Sequence, residues 1–220
     1  MATVSFPEAT RILAERDPVM ARLVAEAGPV SFPFQRQSYF FELIRAITYQ
    51  QLAGAAARAI HGRLVAAVDG EVTPERIVAL SPEALRAAGL SGNKAASVVD
   101  LAAKVLDGTV ILEPRRLGRL SDQEVIDRLT KVRGIGTWTA EVFMLFNLHR
   151  LDILLVGDLG VRRGFGLAWQ IPTPTPKQLE ALGEPFRPYR SVVTWYSWRA
   201  AELYGGAQAS ALTGSKAPLP

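Results

Sequence analysis

The sequence predicts an all-α protein arranged as two helical lobes, and three observations carry that prediction. Helix start signals are dense: Ser81-Pro82-Glu83 and Thr73-Pro74-Glu75 each combine an N-cap, a proline at the first helical position and an acid in the first turn. Ser121-Asp122-Gln123-Glu124 and Thr175-Pro176-Lys177-Gln178 have the spacing of capping boxes. Between these signals apolar residues recur every three or four positions, as at Phe41, Ile44 and Ile47, or at Val125, Leu129 and Val132. No run alternates convincingly as a strand would, and roughly eight to ten helices are expected.

The elements follow in order. Residues 1–37 read as an N-terminal helical segment, with one helix near 8–27, packing on the second lobe. The proline and glycine cluster Gly28 to Pro33 ends it. Residues 38–112 form the first lobe, and Glu113-Pro114 punctuates the entry to the second, 113–205. Within that lobe Ile171 to Pro176 interrupts the helices. The tail 206–220 is small and polar and is expected to be disordered.

Composition bounds the function. The chain has 220 residues, about half of them hydrophobic, enough to bury a substantial core. It carries a formal charge of +4 with 25 basic residues, 20 Arg against 5 Lys. That balance permits an anionic partner without requiring one. There is no cysteine, which excludes disulfides, thiol catalysis, cysteine-ligated zinc and iron–sulfur clusters. The N-terminus is charged where a signal peptide is apolar, and no run of membrane-spanning length follows. A soluble, cytoplasmic protein that does not engage membranes is expected.

One stretch raises a chemical question. In "LTKVRGIGTWTAEVFMLF", Leu129 to Phe146, two glycines sit one residue apart between apolar segments that both read as helices. Glycine tolerates positive φ and lets another backbone approach closely. Such a turn leaves the amides of the second helix facing outward with the positive end of its dipole behind them, an anion site made of backbone. An ordinary αα-hairpin with glycines for tight packing has the same pattern.

The longer string resembles the helix-hairpin-helix of DNA repair glycosylases. The following "DILLVGDLGVRRGFG" resembles the Gly/Pro-rich loop with its aspartate in the same superfamily. Upstream, "AITYQQLAGAAARAIHGRL" and "AGLSGNKAASVVDLA", and downstream "PYRSVVTWYSWR", resemble segments of its alkyladenine (3-methyladenine type II) branch, in the right order. The resemblance implies a compact form without the N-terminal β domain of a larger member, with a catalytic cleft between two helical lobes. It implies a monomeric base-excision repair enzyme that flips an alkylated purine out of damaged double-stranded DNA and hydrolyses its N-glycosidic bond.

Roles then carry over residue by residue. The resemblance implies phosphate binding at Gly134, Gly136 and Thr139. It places a structural monovalent cation, Na⁺ or K⁺, on the backbone carbonyls of Thr130, Val132 and Ile135; no cofactor is needed for catalysis. Asp158 matches the catalytic aspartate. A fixed carboxylate beside a sugar that gains positive charge favours the transition state, although the same residue would serve as an N-cap for the helix after it. Asp152 is the rival carboxylate and fits a surface turn better. Bifunctional members carry a lysine at position 138, whose amine attacks the sugar; Trp138 cannot, which implies a monofunctional enzyme.

For the base pocket the resemblance implies Trp138 and Trp198, since cationic methylpurines are drawn to aromatic faces. Tyr196 stands beside them, pocket or core, and Trp195 reads as core. Val142 and Leu159 replace tyrosines of the larger member and imply a wider pocket. Leu52, flanked by Gln51, matches the wedge that fills the hole left by a flipped base. Arg162, Arg163 and Lys94 read as phosphate contacts or as solvated surface. His61 and His149 lack a partner pattern and read as structural. The competing readings are a non-catalytic helix-hairpin-helix DNA-binding protein and a glycosylase for deaminated, mismatched or etheno bases.

Overall fold

The computed structural model describes residues 4–32 and 37–206. Among the described residues there is no strand, and the helices run α1 Phe6–Arg16, α2 Pro18–Ala27, α3 Tyr39–Tyr49, α4 Gly54–Ala66, α5 Pro74–Ala79, α6 Pro82–Ala87 and α7 Gly92–Leu106. They continue with α8 Pro114–Leu117, α9 Asp122–Leu129, α10 Thr137–Asn147, α11 Leu159–Trp169, α12 Pro176–Gly183, a 3₁₀ turn at Glu184–Phe186, and α13 Arg190–Tyr204. This exceeds the expected number in part because the Glu113-Pro114 punctuation starts a helix of its own, only four residues long. The single helix expected near 8–27 is also two. Asp17 ends α1, and its side chain accepts the Met20 amide at 2.8 Å to start α2, with Pro18 at the first helical position. Both expected capping boxes are present, at Ser121 with Glu124 and at Thr175 with Gln178, each cap of this kind contributing about 1 kcal/mol. The expected disordered tail lies outside the described residues from 207 onward.

The described residues form two compact units, one of 4–32 with 149–206 and the other of 37–148. The division falls after Leu148, not at 113 as the punctuation suggested. The reason is packing: α10 lies on α9 and on α3, where Phe143 meets Tyr39 edge-on at 5.4 Å. The hairpin therefore belongs with the lobe that precedes it in sequence. In this hairpin unit Leu43, Ile44, Ile47, Leu64, Leu101 and Val125 are fully buried.

The other unit is built around α11 and α13, with α1 and α2 packed on α13. A β-carbon added at Gly164 would lie 1.6 Å from the Ser197 carbonyl oxygen, so the two backbones are in direct contact there and only glycine fits. Tyr196 is completely buried on α13, and its hydroxyl donates to the Gly28 carbonyl at 2.9 Å. Burial pushes its phenol up to about 12.

Candidate active site and nucleic-acid interface

In the hairpin unit, α9 ends at Leu129 and α10 begins at Thr137. Gly134 has φ 78°, and a β-carbon there would lie 2.5 Å from the Ser97 hydroxyl. The position therefore requires glycine twice over, for conformation and for space. Gly136 differs. It is the N-cap of α10 with φ −95°, and nothing stands within 4 Å of an added β-carbon. It has no side chain to turn onto the amides of Thr137 to Thr139, and the first helical bond runs from the Ala140 amide to the Gly136 carbonyl at 3.1 Å. Both glycines are exposed. The result is a helix N-terminus whose amides point outward past a residue without a side chain.

Helix α7 holds this turn from behind. Asp100 accepts the Arg133 amide and the Lys104 ammonium, both at 2.7 Å, and Lys104 also donates to the Lys131 carbonyl at 2.6 Å. Partial burial pushes the Asp100 carboxyl up, but these hydrogen bonds and the nearby charges of Lys104 and Arg133 outweigh it and hold the group below the usual range. From the other side, the Gln50 amide donates to the Gly134 carbonyl at 2.9 Å and to the Thr139 hydroxyl at 3.4 Å. The Thr139 side chain is thus buried and turned inward, so any anion contact at this position uses its backbone amide.

Gln50 also begins the turn between α3 and α4, where Gln51 is exposed at φ 56° and Leu52 is half-buried. Lys94 donates to the Thr48 carbonyl at 2.7 Å, and burial lowers its ammonium. The residue expected to meet phosphate is committed to holding this turn. In the same unit Trp138 is 41% exposed on the first turn of α10, and Val142, one turn further on, is half-buried.

In the other unit, the "ILLV" run is a loop strapped to α13. The Ser191 hydroxyl donates to the Arg150 carbonyl at 2.6 Å and accepts the Ile153 amide at 2.9 Å. The Thr194 hydroxyl donates to the Ile153 carbonyl at 2.9 Å and accepts the Leu155 amide at 3.4 Å. Trp198 continues the same helical face, and its indole N–H donates to Asp158 Oδ1 at 3.2 Å. Ser191, Thr194 and Trp198 thus grip successive points of one segment, which ends at Asp158. The same Oδ1 accepts the Val161 amide at 2.8 Å, so Asp158 is indeed the N-cap of α11. Capping fixes the carboxylate at the positive end of the helix and does not compete with a chemical role.

The remaining expectations sort clearly. Tyr196, which the sequence left between pocket and core, belongs to the core, because no part of its ring reaches the surface. Trp195 is buried as expected, and Leu159, next to Asp158, is 42% exposed. Arg162 donates to the Pro174 carbonyl at 3.2 Å and braces its own loop, whereas Arg163 has no ion-pair partner among the described residues. Asp152 is tied up by the guanidinium groups of Arg187 and Arg190, which removes it as a rival to Asp158. His61 is buried between Phe41 and Tyr49, with ring centroids at 5.1 and 6.1 Å. Among the described residues no group of three or more His, Asp or Glu side chains is placed to hold a metal. Gln50, Ser191 and Thr194 escaped the sequence reading. The spacing 191, 194, 198 was the only signal for the last two, and it is easily taken for core.

An all-α fold with a glycine hairpin and a capped aspartate held by tryptophan is the architecture of a base-excision repair domain. The chain belongs to the HhH-GPD superfamily of base excision DNA repair proteins, whose pattern it matches over residues 44–188. It is 35% identical over 187 residues to DNA-3-methyladenine glycosylase 1 of Schizosaccharomyces pombe, covering 84% of this chain and 81% of that protein. It is 30% identical over 170 residues to DNA-3-methyladenine glycosylase 2 of Escherichia coli, covering 72% of this chain and 56% of that one. The solved S. pombe 3-methyladenine DNA glycosylase in complex with abasic DNA superposes with a TM-score of 0.76 at 32% identity, covering 89% of this chain and 97% of that chain. A DNA-3-methyladenine glycosidase from Bacillus halodurans gives 0.80 at 34% identity, covering 92% and 91%.

Proposed function

We propose that the protein is a monofunctional DNA glycosylase that releases alkylated purines from damaged duplex DNA and leaves an abasic site. The observation that carries this reading is the carboxylate of Asp158, held on Oδ1 by the Val161 amide and the Trp198 indole within a member of a base-excision family. As the N-glycosidic bond breaks, positive charge grows on the deoxyribose. A carboxylate at ~4 Å in an effective dielectric of ~20 stabilises that charge by about 4 kcal/mol. At ~1.4 kcal/mol per decade, this is roughly a thousandfold in rate. The attacking water is oriented by the same group.

Trp138 supports hydrolysis over lyase chemistry, since it offers no amine to form a Schiff base. The outward amides after Gly136 and the Arg163 guanidinium suit DNA phosphates, which position a duplex and carry little sequence information. Gln51 and Leu52, at the tip of a strained turn, suit a wedge. The Thr130, Val132 and Ile135 carbonyls are hard oxygen donors in one turn. The Val132 carbonyl spends one lone pair on the Ile135 amide and keeps the other. They fit Na⁺ or K⁺, which when bound supplies positive charge to a phosphate at the hairpin.

The test is release of 3-methyladenine or 7-methylguanine from methylated duplex DNA, with borohydride trapping alongside. Asparagine caps a helix as well as aspartate does, so Asp158→Asn keeps α11 intact and removes only the charge. The expected outcome is about a thousandfold loss of single-turnover rate, unchanged binding to abasic DNA, and no covalent adduct in wild type. Tight DNA binding without release of any base by wild type would leave a non-catalytic DNA grip as the better reading.

A further inference from the structure

Asp158 Oδ1 is held from two directions, and the residue beside that contact has no side chain. A β-carbon built on Gly160 would stand 3.0 Å from Asp158 Oδ1, 3.4 Å from Trp198 Cδ1 and 3.6 Å from Trp198 Nε1. It would sit beside the 3.2 Å hydrogen bond that joins the two side chains. Nothing in the backbone asks for glycine here. Gly160 is the second residue of α11 and is not among the glycines with positive φ. Alanine is the better helix former at such a position, so glycine is kept against local preference.

We propose that Gly160 is a positioning residue. Its missing side chain lets the Trp198 indole N–H reach Asp158 Oδ1, and Trp198 thereby orients the carboxylate that does the chemistry. This rests on the glycosylase reading above and gives Trp198 a task beyond stacking on a base. The carboxylate has one oxygen pinned by the Val161 amide at 2.8 Å and the indole at 3.2 Å, so its plane is set by the protein. A methyl group on residue 160 displaces that oxygen by a few tenths of an ångström or stretches the indole bond beyond hydrogen-bonding range. Misplacements of ~1 Å cost about a hundredfold in rate, so a shift of this size should cost about tenfold.

The experiment compares wild type, Gly160→Ala, Trp198→Phe and the double variant. Three readouts are taken: single-turnover release of 7-methylguanine, melting temperature, and the indole ¹H–¹⁵N resonance of Trp198, assigned by its loss in Trp198→Phe. Gly160→Ala is expected to melt at the wild-type temperature or above, shift the Trp198 resonance, bind abasic DNA as wild type does, and release base about tenfold more slowly. Because both single changes act on one hydrogen bond, the double variant is expected to lose less than the product of the two losses. A Gly160→Ala protein with wild-type rate and resonance overturns the proposal while leaving an active glycosylase. A rate loss that tracks a lower melting temperature also overturns it, making Gly160 a packing residue. A wild type that releases no base overturns the glycosylase reading and this role with it.

Discussion

The two units build their functional features in opposite ways. The hairpin unit offers its proposed phosphate site from a short continuous run, Leu129 to Thr139, and from backbone atoms. The other unit assembles its proposed carboxylate site from side chains forty positions apart, Asp158 and Trp198. The backbone feature needs glycines at the right spacing and a helix after them, braced by Asp100, Lys104 and Gln50. A side-chain feature needs two helices brought into register, which here depends on the bare contact between Gly164 and the Ser197 carbonyl. The lesson concerns fragility: a site of backbone amides spends no side chain on its ligand, whereas an assembled carboxylate site is only as well placed as the helix packing under it.

Breaking that packing should have the largest effect. Gly164→Ala puts a methyl group where a carbonyl oxygen already lies, and α11 must move away from α13. Overpacking typically costs ~1–3 kcal/mol, and a backbone clash of this depth should reach about 3 kcal/mol. Thermal unfolding should show the loss, and base release should fall with it, because Asp158 and Trp198 sit on the two separated helices.

Acid should act next, and on the hairpin unit. His61 is buried, and burial, helped by the charge of Arg45, lowers its imidazole to about 4. The ordinary value is 6.5, so the unfolded chain takes up a proton between pH 6.5 and about 4 while the folded chain does not. Stability is then fully retained above pH 6.5 and falls as pH drops through that window, by about 2–3 kcal/mol at its lower end. Denaturant melts at pH 7 and pH 4.5 should differ in wild type, and His61→Phe should flatten the difference. An equal pH dependence in the variant would assign it to other groups.

The two hairpin glycines sharpen the comparison with the smallest effects. Gly134→Ala combines positive φ with a contact to Ser97 and should cost about 1–3 kcal/mol of stability. Gly136→Ala meets open space and should change stability by less than ~0.5 kcal/mol. It should nevertheless weaken DNA binding several-fold, since the methyl group enters the space proposed for a phosphate. Equal affinity of Gly136→Ala and wild type for abasic duplex would remove the phosphate from that position.

Much of this was legible in the residues. The capping boxes at Ser121 and Thr175, the glycine turn and the aspartate after an apolar run are local patterns, and local patterns are set by backbone conformation and helix ends, which a few neighbouring residues control. That is why the sequence alone determined the all-α class, the hairpin and Asp158 as a helix cap. Tertiary structure decided the rest. It assigned Tyr196 to the core and Arg162 and Lys94 to the protein's own carbonyls, because burial and hydrogen-bond partners depend on residues far along the chain. It joined α10 to the first lobe through α3, which no punctuation near residue 113 encodes. It also set Gly160 beside the bond between Trp198 and Asp158. Side-chain chemistry is written in sequence, but whether a tryptophan stacks, packs or holds a carboxylate depends on where close packing places its ring.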